Sequence, residues 1–216
     1  IMVVGIGLAC VCAVWQTPIN FWDQLKIAGA AGRLNPITTT IDWNDRFNLL
    51  SGLIGGTFLA LAYFGCDQSQ VQRYLTGRSI SESRLSLLFN AVAKVPMQFG
   101  ILFTGAMVFV FFVYTQPPAN FRTPGALASQ TYQTAFESRQ HMANELVSGK
   151  VPPTEFKQGQ ARFDAVRSQV PGGTDTNYIF LYFVTHYLPI GLAGLVLAVV
   201  FGAALTTSSG ELNSLA

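Results

Sequence analysis

Hydrophobic residues fall into long uncharged runs separated by polar connections, a pattern that predicts membrane-spanning helices. The sharpest run is the last. Residues 188–205 carry no charge, and at 1.5 Å per residue they make roughly 27 Å of helix, close to the ~30 Å hydrocarbon thickness of a bilayer. Residues 188–216 are therefore read as a transmembrane helix. Residues 1–15, apolar from the first position, are read as a truncated transmembrane helix, and 47–66 and 85–114 as two more. The third, roughly 45 Å long if straight, exceeds what a bilayer requires, and Pro96 predicts a kink in it. In the second, Gly52, Gly55, Gly56 and Gly65 predict a helix that unwinds easily. Interrupted helices expose backbone at mid-membrane in transporters; close packing against a neighbour is the alternative reading.

The connections have patterns of their own. Residues 16–46 read as an outer loop in which Phe21, Leu25 and Ala28 mark a short interfacial helix, ended by Gly29 or Gly32 and followed by the polar run 38–40. Residues 67–84 form a cytoplasmic loop by the positive-inside rule, with Arg73, Arg78 and Arg84 against Asp67 and Glu82. Residues 115–187 are read as an outer helical loop. Thr123-Pro124 opens one helix running to Gly149, Pro152 opens a second running to Gln169, and Pro171-Gly-Gly stops it. Apolar stripes (Tyr132, Phe136, Met142; Phe156, Phe163, Val166, Val170) predict a helical hairpin over the outer mouth, its charges forming a solvated face. The aromatic stretch 178–187 reads as an interface belt, with His186 an interfacial residue.

Composition strengthens the membrane reading. Half the residues are hydrophobic and 11% are charged, against about 25% charged in soluble domains, and mean hydropathy is +0.36. The lipid bilayer is thus one partner. A net charge of +2 is too small to argue for nucleic acid. Cys10, Cys12 and Cys66 sit in or at the end of apolar segments without metal-ligand spacing, and read as small buried hydrophobes. The chain starts inside an apolar run and stops inside a helical pattern, as expected of an internal fragment.

Chemistry is concentrated in two places. The last apolar helix changes abruptly into Thr206, Thr207, Ser208 and Ser209. Hydroxyls and freed carbonyls suit a small hard cation, and they equally suit back-bonding and close helix packing. The third span carries Lys94 about 15 Å of helix from Leu85, where it either snorkels to the interface or serves as an intramembrane charge.

Two motifs resemble the sodium:solute symporter family: YFGCDQSQVQRYLTGRS at 63–79, like the signature at the inner end of the sixth core helix, and LPIGLAGL at 188–195 followed by ALTTSSGELNS at 204–214, like the eighth. GRLN at 32–35 is also similar to a family pattern. The resemblance implies an all-α membrane protein, here a fragment of an inverted-repeat transporter fold with four spanning segments and an extracellular helical hairpin. It implies that Ala203, through its backbone carbonyl, and the hydroxyls of Thr206 and Thr207 hold sodium, where two adjacent serines are commoner. It also implies that Tyr63 gates the inner side of a substrate pocket and that Lys94 approaches substrate. Ala60 stands where sugar-transporting relatives carry a polar Asn, a departure that argues against a sugar. Gln72 and Arg73 are read as structural or conformational.

The function so implied is sodium-coupled symport of a small organic solute across the cell membrane by a multi-pass protein, through alternating access. Sodium is the co-transported ion, and oligomeric state is left open. The alternative is a transporter-like membrane sensor coupled to a signalling domain outside this chain. An enzyme is not expected: His141 and His186 lie in outer segments without paired carboxylate or nucleophile spacing.

Overall fold

The computed structural model describes residues 2–35, 48–75, 79–121, 130–169 and 175–215. The expectations placed on the polar run 38–40, Arg78, the helix start at Thr123-Pro124 and the stop at Pro171-Gly-Gly lie outside the described residues. Every regular element among those described is helical. In order they are α1 (Met2–Gln16), α2 (Phe21–Ala30), α3 (Leu49–Leu61) continuing into a π turn (Ala62–Cys66), α4 (Gln68–Leu75), α5 (Ile80–Tyr114), α6 (Gln130–Val147), α7 (Pro153–Ser168), α8 (Ile179–Tyr187) and α9 (Ile190–Leu215). Three stretches, Leu49–Cys66, Ile80–Tyr114 and Ile190–Ser214, are long and apolar enough to cross a membrane, and a fourth is counted if α1 and α2 form one broken span. The chain divides into two compact units, Ile1–Leu34 with Gly100–Leu197 and Asn35–Phe99 with Ala198–Ala216.

In the first unit, α2 turns away from α1 by 101°. The buried Gln24 holds the bend by donating to the carbonyls of Val14 and Ile19, both at 3.0 Å. Carbonyls at the end of α1 are thereby satisfied by a side chain, as helix ends require. Gly32, at φ +72°, ends α2: the Arg33 N–H bonds back to the Ala28 carbonyl at 2.9 Å, the Schellman closure that favours glycine. The core joins Ala9 and Ala13 of α1 and Ile27 and Ala28 of α2 to Met107, Val110, Phe111 and Val113 of α5 and Phe183 and Val184 of α8.

In the same unit, α6 and α7 form a hairpin closed at Gly149 (φ +74°). Tyr132, Phe136 and Phe163 are its small core, and Gly159 lets α7 approach Met142 too closely for any Cβ. The expectation that the hairpin's charges are solvated fails at Arg139. Its side chain is buried, with the guanidinium 3.8 Å from the centroid of the Phe163 ring and Nη2 donating to the Phe112 carbonyl at 2.6 Å. Phe112 lies in the last turn of α5, so the arginine satisfies an orphan carbonyl while its planar group stacks. Burial pulls the guanidinium down to about 10, which leaves it charged at neutral pH. A second pair is also partly shielded: Arg167 bonds Asp175 at 2.7 Å, and Asp175 accepts from the Phe121 N–H.

The second unit corrects the expectation of an unwound second span. Its glycines lie within continuous helix from Leu49 to Leu61. Glycine costs a helix about 1 kcal/mol relative to alanine. An unpaired peptide group in hydrocarbon costs several, so the backbone keeps its hydrogen bonds. The departure comes later, as the π turn Ala62–Cys66, closed by the Asp67 N–H on the Ala62 carbonyl at 3.1 Å.

Other boundaries move for local reasons. The cytoplasmic loop is itself partly helical: α4 occupies part of it, and α5 begins at Ile80, before the predicted 85, with Ser79 capping it through the Glu82 N–H at 3.2 Å. Pro96 lies inside α5, which is one helix from end to end. The last span begins at Ile190, not 188, because Pro189 forces Leu188 out of the helical region (ψ 144°). The aromatic stretch before it is the separate helix α8. Cys10 and Cys12 are half-buried free thiols, whereas Cys66, at the end of the π turn, is exposed.

Candidate functional site

All six residues singled out from the sequence, Ala60, Tyr63, Lys94, Ala203, Thr206 and Thr207, fall in the second unit. They form two groups. One is on α9, where the Thr206 hydroxyl donates to the Gly202 carbonyl at 2.8 Å and the Thr207 hydroxyl donates to the Ala203 carbonyl at 3.0 Å. Back-bonding of this kind is common in apolar helices and satisfies the hydroxyls without any ion. It also has a consequence for cation binding. Each hydroxyl gives up its single proton to the carbonyl, and its oxygen keeps acceptor lone pairs. Hard cations hold oxygens at roughly 2.3–2.6 Å, so two oxygens 3.0 Å apart can both reach one ion.

The other group joins α3, the π turn and α5. Ala60 is one helical turn before Tyr63. The Lys94 ammonium stands 5.5 Å from the centre of the Tyr63 ring, within cation–π range. A shallow groove along α3 is lined by Gly56, Thr57, Ala60, Leu61 and Phe64. The one hydroxyl on this wall, that of Thr57, already donates to the Leu53 carbonyl at 2.7 Å. Lys94 is thus engaged with an aromatic face within the fold. A lysine at the centre of a spanning helix costs about 2.5–3.5 kcal/mol on insertion scales, a cost seldom carried without use.

The two groups are not joined by any hydrogen bond among the described residues: both α9 hydroxyls bond within their own helix. Farther along α9, the Asn213 amide reaches the Gln72 side chain of α4 at 3.4 Å. This places Gln72, from the first sequence motif, beside the end of the second. Sequence reasoning missed the π turn under Tyr63. Its signal was faint, a Gly65-Cys66 pair just before the polar Asp67.

No family model and no solved structure matches the chain. Related characterised proteins do. The sodium/sialic acid symporter of Proteus mirabilis is 25% identical across 100% of this chain and 39% of its own length. The sodium/glucose cotransporter of Vibrio parahaemolyticus is 25% identical over 76% of this chain and 23% of its own. Human sodium-coupled monocarboxylate transporter 1 is 37% identical over 43% of this chain and 15% of its own. The chain therefore spans well under half the length of these relatives. Its homologues are sodium/solute symporters, as the motifs at 63–79 and 188–214 imply.

Proposed function

We infer that this chain is part of a secondary transporter that couples sodium entry to uptake of a small organic solute across the cell membrane by alternating access. The observation that carries the reading is the relationship to sodium symporters across the whole chain, with the α9 oxygen set at the position the family resemblance implies for sodium. Sodium is held by the Ala203 carbonyl and the Thr206 and Thr207 hydroxyls, with further ligands from elsewhere in the protein. Tyr63 closes the inner side of the solute pocket and Lys94 faces it. In this reading the Arg-containing connection 67–84 is cytoplasmic and the α6–α7 hairpin lies outside. Coupling is linkage: sodium stabilises an outward-facing arrangement that binds solute better, so the two ligands bias one equilibrium together. No bond is made or broken in this cycle.

The test is uptake into proteoliposomes of the full-length protein, using labelled sialic acid, glucose and lactate, substrates drawn from the relatives' names. Accumulation under an inward sodium gradient and not under potassium, abolished in Thr206→Ala/Thr207→Ala at unchanged protein level, is the expected result. Undiminished sodium dependence in the double variant rules the assignment out.

A further inference from the structure

The sodium-symport reading leaves the solute unnamed, and Lys94 bears on it. The residue lies inside the apolar run of α5, where an ammonium needs a counter-charge or strong acceptors. What it meets is the Tyr63 ring at 5.5 Å, and a ring face attracts a cation without neutralising it. No carboxylate among the described residues pairs with it: the ion pairs there are Lys26–Asp23, His141–Glu145 and Arg167–Asp175. The adjoining wall is apolar. Gly56, Ala60, Leu61 and Phe64 offer no polar side chain, and the Thr57 hydroxyl has given its proton to Leu53. A polyhydroxylated neutral solute finds few partners on such a surface. One uncompensated cation beside an apolar wall suits a molecule with one negative group and an apolar body.

We propose that the solute is a small organic anion whose single carboxylate pairs with Lys94 while its apolar part lies against Ala60 and the Tyr63 ring. This rests on the sodium-symport reading and adds the solute's charge to it. The carboxylate forms a charge-assisted hydrogen bond with the ammonium, stronger than any the neutral amide of the same shape can make.

The experiment measures thermal unfolding of the purified full-length protein in sodium chloride and in potassium chloride. Propionate, lactate, pyruvate and nicotinate are each compared with the corresponding amide. Sodium-specific stabilisation tests the transport reading by itself, and its absence defeats that reading whatever the acids do. The anion proposal expects at least one acid to raise the midpoint by roughly 2 °C or more in sodium, with its amide inert. Lys94→Gln should weaken that acid's effect at least about tenfold, and Lys94→Arg, which keeps the charge, should retain it. Sodium stabilisation with no acid effect, with amides as effective as acids, or with an acid effect unchanged in Lys94→Gln overturns the anion proposal and leaves symport standing. The wild-type acid-to-amide comparison decides the matter even if the glutamine variant does not fold.

Discussion

Lys94 on α5 and Tyr63 in the π turn meet charge to ring, the ammonium 5.5 Å from the ring centroid. The contact joins two residues that the family resemblance assigns separately to the solute pocket. A cation–π pair contributes about 0.5–2 kcal/mol depending on how dry it is. Tyr63→Phe keeps the ring and should leave the KM of sodium-driven uptake within about twofold. Tyr63→Leu removes the quadrupole and should raise KM by roughly three- to thirtyfold, the same energy expressed as an affinity ratio. Uptake kinetics of both variants check this.

Arg139 ties the hairpin to the end of α5 through the Phe112 carbonyl, and stacks on Phe163. Lysine keeps the charge and loses the planar stack and the fixed fork. Arg139→Lys should therefore destabilise the protein by about 2–3 kcal/mol, within the range for breaking a buried charged hydrogen bond. The unfolding midpoint in detergent, and faster hydrogen exchange in α6 and α7, are the readouts.

Tyr132 gives the hairpin a pH dependence. Its hydroxyl donates to the Pro117 carbonyl at 3.0 Å, and burial, the leading cause, pushes its pKa up to about 12. An unfolded tyrosine titrates near ~10, so the folded state holds this proton more tightly. The stability gained is whole below about pH 10 and is lost as pH rises through about 12. Tyrosinate absorbance of the wild type minus that of Tyr132→Phe should show one group titrating well above the free value.

The end of α2 offers a paired test of glycine. At Gly32 the backbone is left-handed (φ +72°), and Gly32→Ala should cost about 1–2 kcal/mol. Gly29 is ordinary helix, where an added Cβ meets only Leu34 Cδ1 at 3.9 Å. Gly29→Ala should stabilise by about 0.5–1 kcal/mol. Opposite shifts in unfolding midpoint are expected, and equal shifts would contradict the cap assignment.

The spans and the all-helical character were legible because lipid imposes a simple rule, long uncharged runs with every peptide group paired inside the helix. That rule also explains why the glycines of α3 did not break it. Contacts between distant residues were a different matter. Nothing in the spacing of Tyr63 and Lys94 reports that a π turn brings a ring beneath an ammonium. The roles of Ala203, Thr206 and Thr207 came from resemblance; the local geometry, hydroxyl onto carbonyl, follows from any Thr in an apolar helix. Arg139 was misread because an amphipathic pattern assigns a charge to the wet side, whereas this guanidinium hides flat against a ring.

That flat placement has a practical result. Ionic strength weakens attractions between solvated charges and barely touches those shut away from water. The Arg139 fastening uses a carbonyl and aromatic faces, neither of which can be protonated in mild acid. The seam between the hairpin and the end of α5 is therefore indifferent to brine and to acidification alike.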